Sequence, residues 1–123
     1  MNINSIVISL VAGMSLFGMT GCSESVSNYF RNYEEARESG IMNRGWIPGF
    51  IPGSAREIKE HHKMDAPHIY VEFSFDPGDI YTFEESCTLR GKKTYTCENS
   101  GYPVTVTISG DNHAVIRSLD KGI

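Results

Sequence analysis

Between Arg44 and Phe75 the chain concentrates the signals that most narrow its fold. It reads Arg44-Gly45-Trp46-Ile47-Pro48, then Phe50-Ile51-Pro52-Gly53-Ser54-Ala55, then a polar run, and then Ile69, Val71, Phe73 and Phe75 alternating with Tyr70, Glu72 and Ser74. The stretch holds the only Trp and three of the five Pro. Proline has no N–H and restricts the residue before it, so Ile47 and Ile51 are expected to be extended and the segment irregular. Such a segment lays Trp46, Ile47, Phe50 and Ile51 on a core. Ser54-x-x-Glu57 has the form of a capping box and predicts a second helix toward Pro67, with Ala55 and Ile58 inward and Lys59 and Lys63 near its C-terminal end. From Ile69 the strict period of two reads as a strand with one buried and one wet face.

The first residues indicate a compartment. Ile6 to Met19 is mostly apolar and carries no charge. That run is too short for a permanent membrane span and has the length of a signal-peptide apolar region. It ends in Met19-Thr20-Gly21-Cys22, which resembles the lipobox of bacterial lipoproteins. The resemblance implies cleavage before Cys22, acylation (palmitate) of that Cys, and attachment to a membrane. Ser23, where an Asp would retain the protein at the inner membrane, points by the same resemblance to the outer membrane. The expected organisation is a leader at 1–21, a polar tether at 22–31 and a single domain at 32–123. About 100 residues then supply one modest core.

With Cys22 used for lipid, Cys87 and Cys97 remain of the three cysteines. In an oxidising compartment two leftover thiols in a small domain are expected to pair. The residues between them fold as a hairpin about Gly91 and Lys92, which brings Cys87 opposite Cys97 at a spacing that a disulfide bridges. Elsewhere, Asn32 with Glu35 predicts a capped first helix that Gly40 ends. Asp76-Pro77-Gly78-Asp79, Asn99-Ser100-Gly101 and Gly110-Asp111-Asn112 read as turns. Val104, Val106 and Ile108 mark one strand. In the last strand either Ala114 and Ile116 or Val115 and Leu119 face inward. The expected class is α+β: two short N-terminal helices packed on a small antiparallel sheet of about four strands.

Composition excludes more than it proposes. Eleven basic and fifteen acidic residues give a net charge of −4 with no long run of one sign. Binding nucleic acid calls for a basic face, so no nucleic-acid partner is expected. His61, His68 and Asp65 form the one conceivable metal set, but adjacent His61 and His62 on a helix diverge by about 100°, so no metal or cofactor is expected. No catalytic constellation is legible either. Arg44, Trp46 and His61 form the candidate binding groove. Trp46 reads either as a core anchor or as the wall of that groove, where the Arg44 guanidinium can take a carboxylate or phosphate.

Tyr33-Glu34-Glu35-Ala36-Arg37 with Gly40, Arg44-Gly45-Trp46-Ile47-Pro48, Ile51-Pro52-x-Ser54-Ala55, Ile58, His61 and Phe73-x-Phe75 together resemble a family of small bacterial proteins, the YbbD-like head domains. The resemblance spans Tyr33 to Asp76 and implies no activity and no catalytic residues. Tyr95-Thr96-Cys97-Glu98, followed by Val104-Thr105-Val106 and Ala114-Val115-Ile116, is similar to the first strands of lipoprotein inhibitors of C-type lysozyme. The expected function is a lipid-anchored envelope lipoprotein with a non-catalytic interaction domain and an envelope protein as partner. The alternatives are an inhibitor or immunity lipoprotein against a secreted hydrolase, and a small metal-dependent hydrolase.

Overall fold

The computed structural model describes residues 25–64 and 68–119. The expected leader, Cys22, Asp65 and Pro67 lie outside the described residues. In chain order the elements are β1 (Ser25–Asn32), α1 (Tyr33–Ser39), an irregular segment, β2 (Arg56–Lys63), β3 (Ile69–Ser74), a 3-10 turn (Pro77–Asp79), α2 (Tyr81–Ser86), β4 (Thr88–Gly91), β5 (Thr94–Asn99), β6 (Tyr102–Ser109) and β7 (His113–Ser118). The strands form one antiparallel sheet in the order β1-β2-β3-β7-β6-β5-β4.

This corrects the expected class. The domain is mostly sheet, with seven strands and two short helices among the described residues, rather than two helices on about four strands. Two misread segments account for the difference. Residues 25–31, expected within a polar tether, belong with Asn32 to the edge strand β1 (Ser25–Asn32), which pairs along its length with β2. The predicted second helix is β2 itself. Ser54 caps no helix: its hydroxyl accepts the N–H of Asp76 at 3.0 Å and ties the start of β2 to the end of β3. Glu57 sits at φ 51°, in a register shift between Arg56 and Lys59, and that left-handed backbone is incompatible with a right-handed helix.

Other expectations are met. The Asn32 side chain accepts the N–H of Glu35 at 2.9 Å to start α1, and Gly40, at φ 83°, ends it. The Arg31 backbone N–H, and then its guanidinium, hold the Glu35 carboxyl below its usual range. Cys87 and Cys97 are joined by the expected disulfide, with Cα atoms 4.5 Å apart, across a hairpin whose turn falls at Lys92 and Lys93, one residue beyond the expected Gly91 and Lys92, because the register shifts between Leu89 and Gly91. Ser100 and Gly101 make a two-residue hairpin turn, both with positive φ, where Asn99 faces Tyr102. In β7 it is Ala114 and Ile116 that point inward.

One face of the sheet carries the core. Its register aligns Phe30 with Ile58, Val71 with Ile116, Val106 with both Ile116 and Tyr95, and Cys97 with Val104. Over this face lie Ala36 of α1, Phe83 of α2 and the buried residues Ile41, Ile47, Ile51 and Ala55 of the irregular segment. Each fully buried Ile or Phe stabilises the fold by about 1.5–3 kcal/mol. Phe83 packs its ring against Phe50, Phe73, Phe75 and Tyr95, with centroids 5.6 to 6.4 Å away.

Candidate functional site

Period-two geometry sends residues 58, 60 and 62 of β2 to the covered face, so two polar side chains enter an otherwise apolar layer. Glu60 is 2% exposed and His62 is 5% exposed. Buried polar groups are tolerated when they are hydrogen-bonded, and here each carboxyl oxygen of Glu60 has a partner. The Nδ2 of Asn28, opposite Glu60 on β1, donates to Glu60 Oε1 at 2.8 Å. His62 donates through Nδ1 to Glu60 Oε2 at 2.5 Å. The imidazole face is closed by Trp46, whose ring lies 3.6 Å away and within 6° of parallel.

The irregular segment delivers Trp46 to that position. After α1 the chain coils through the bonds Arg44 N–H to Gly40 O (3.2 Å), Gly45 N–H to Met42 O (3.0 Å) and Trp46 N–H to Ile41 O (3.2 Å). Gly45 adopts φ 86°, a left-handed backbone angle that glycine takes without strain. The Gly45 carbonyl accepts from Asn99 Nδ2 at 2.8 Å, which pins the segment to the β5–β6 turn. Ile47 and Pro48 then turn fully inward.

Of the three residues expected to form a groove, the structure brings two together. Arg44 and Trp46 line a cleft with Ile69, Asn99, Tyr102 and Val104, of about 130 Å³. That is well below the several hundred Å³ of a typical small-molecule site. His61 is absent from it. Its neighbours Glu60 and His62 point inward, so His61 points outward, where it hydrogen-bonds Ser27 of β1 at 2.9 Å. Among the described residues no three His, Cys, Asp or Glu side chains converge on one point.

His61 belongs instead to the uncovered face. There it borders a shallow hollow of about 420 Å³ with Ser27, Tyr29, Lys59, Tyr70 and Glu72. Tyr29 is 55% exposed. The Tyr70 hydroxyl donates to Glu72 Oε1 at 2.6 Å, and Arg117 of β7 lies over the Tyr70 ring at 5.2 Å. That bond to Glu72, aided by partial burial, holds the Tyr70 phenol above its usual pKa. Sequence reasoning missed Asn28, Glu60 and His62 as a unit. The usable signal was alternation of Ile58, Glu60 and His62 against Lys59, His61 and Lys63, concealed because the inward members are polar.

A one-sided antiparallel sheet, roofed by a Pro- and Gly-built segment and tied to it through a Trp–His stack, is the class of domain defined here. Residues 24–74 match the family model of the YbbD head domain. The match takes in β1, α1, the irregular segment, β2 and β3, somewhat less than half of the chain. No curated protein and no solved structure matches the chain.

Proposed function

We propose that this is a lipid-anchored protein of the bacterial cell envelope, held at the outer membrane through Cys22, whose domain binds another envelope component and catalyses no reaction. The observation that carries the binding half is the bare face of the sheet around Tyr29, His61 and Tyr70, with Lys59, Glu72 and Arg117 beside them. Tyr and Arg are residue types enriched at the energetic centres of protein interfaces, Tyr through a large ring with little freedom to lose and Arg through its planar fork of donors. A ligand role for the Arg44 cleft is disfavoured by its size. Catalysis by the Glu60–His62 pair is disfavoured because both carboxylate oxygens are engaged and the imidazole face is covered. The anchoring half rests on the sequence up to Cys22.

Two measurements test the reading. Blocking lipoprotein processing, or Cys22→Ala, should leave unprocessed precursor in place of the mature membrane form; unaltered fractionation removes the anchor. Crosslinked envelope partners should be lost with Tyr29→Ala and Tyr70→Ala and kept with Arg44→Ala. The reverse pattern moves the interface to the cleft.

A further inference from the structure

We infer that the domain stands on the membrane by one particular end of its sheet, with Met64, Tyr102 and Leu119 seated in the lipid headgroup layer. The inference deepens the anchored reading above and rests on it. Four separate parts of the chain meet at that end. Ser25, where β1 begins, pairs with Lys63 at the end of β2. The Ile69 N–H at the start of β3 bonds the Ser118 hydroxyl at the end of β7 (2.8 Å). Tyr102 closes the β5–β6 turn, and the Leu119 N–H bonds the Pro103 carbonyl at 3.0 Å.

Among the described residues six large apolar or aromatic side chains are exposed, and three of them, Met64 (57%), Tyr102 (54%) and Leu119 (40%), are at this end. Reach makes their position meaningful. Cys22 precedes Ser25 by three residues, a span of roughly 10 Å at full extension, whereas an eight-residue strand such as β1 is about 26 Å long. An acylated Cys22 therefore holds the β1 start against the interfacial layer, which is about 5–7 Å deep on each side of a bilayer. The far end cannot take its place.

The side chains suit that layer. Tyrosine partitions to the membrane–water interface with its ring inward and hydroxyl outward, and the thioether of Met adapts to an irregular surface. Lys63 and Arg44, at the same end, have stems long enough to lie along lipid while their charges stay wet. Glu24, Asp65 and Asp120 adjoin this end in sequence, so it is no basic patch, and the contact is apolar and aromatic rather than an attraction to anionic lipid. With the strands upright, the bare sheet face carrying Tyr29 and Tyr70 looks sideways along the membrane, open to a neighbouring envelope component.

Trp46, the only tryptophan, lines the cleft beside Tyr102 and serves as a built-in reporter. The full acylated chain is reconstituted into vesicles of phosphatidylethanolamine and phosphatidylglycerol, with lipids spin-labelled at the headgroup, and Trp46 fluorescence is followed. Quenching is expected. It should fall severalfold when Met64→Ser, Tyr102→Ser and Leu119→Ser are combined, fall partly with Tyr102→Ser alone, and be unaffected by Leu89→Ser, whose side chain borders the opposite end of the sheet with Pro77, Gly110 and Asp111. It should also persist in roughly 1 M salt, where charges are screened beyond about 3 Å. A vesicle-bound wild type whose Trp46 is not quenched, equal quenching in the combined variant, or loss of quenching in high salt each overturns the seat while leaving the anchor intact. A protein from its native cell with an unmodified Cys22 in the soluble fraction overturns the anchor itself, and vesicle flotation tells the two failures apart.

Discussion

The part of the molecule from β1 to β3 and the part from β4 to β7 build the same sheet by different means. In the first, an irregular roof is fixed by a Trp–His stack and a buried Asn28–Glu60–His62 chain of hydrogen bonds. The second relies on plain alternation, with Val104, Val106 and Ile108 facing inward, on tight turns, and on one disulfide. Polar burial specifies a geometry but tolerates little damage, while alternation and a covalent link tolerate more. Phe83 joins the two, since it touches Phe73 and Phe75 on one side and Tyr95 on the other.

Substitutions can break this contrast in graded steps. Phe83→Ala should cost about 3–5 kcal/mol in urea unfolding, and a loss of cooperativity there would show that the ring couples the two parts. Glu60→Ala strands His62 in the core and should cost about 3–5 kcal/mol, whereas Glu60→Leu combined with His62→Phe should come out near neutral; equal losses for both would mean that the chain of bonds is not the source. Replacing Cys87 and Cys97 by Ser should cost about 2–3 kcal/mol through the freed loop, read as a lower denaturation midpoint that reductant reproduces in the wild type. For Asn32→Ala the loss of the α1 cap should cost about 1 kcal/mol, with the disulfide part unchanged by hydrogen exchange.

The smallest effect is a pH dependence. The Tyr70 phenol is raised in the folded state by its bond to Glu72, so its contribution is fully present below the unfolded tyrosine value of about 10 and fades as pH rises through the folded value. Tyr70→Phe should remove that alkaline component of the stability profile; an identical profile would mean that the bond to Glu72 contributes nothing.

The same contrast explains what was legible beforehand. The second part announced itself: Val104 to Ile108 alternate cleanly, Asn99-Ser100-Gly101 and Gly110-Asp111-Asn112 are turn chemistry, and the spacing of Cys87 and Cys97 about Gly91 and Lys92 pointed to a hairpin and its disulfide. Residues 56–63 were opaque because Glu60 and His62 occupy inward positions, so no apolar period of two survives after Ile58. Ser54 and Glu57 meanwhile imitate a helix start. At β1 only Val26 and Phe30 flank the inward Asn28, too few apolar residues to separate an edge strand from a polar linker. The candidate site suffered similarly: His61 was grouped with Arg44 and Trp46, whereas the strand sends His61 to the other side and brings His62 to the tryptophan.

The strand order carries a consequence for biogenesis. The last described strand to be synthesised, β7, lies between β3 and β6, and without it neither of those strands has its partner on that side. The Cys87–Cys97 loop can close early, from residues close together in the chain, but the seam of the sheet can be sewn only after Ser118 has emerged. Such late, long-range pairing slows folding. If the chain is exported, as proposed above, the same order leaves the polypeptide open while it is threaded across a membrane.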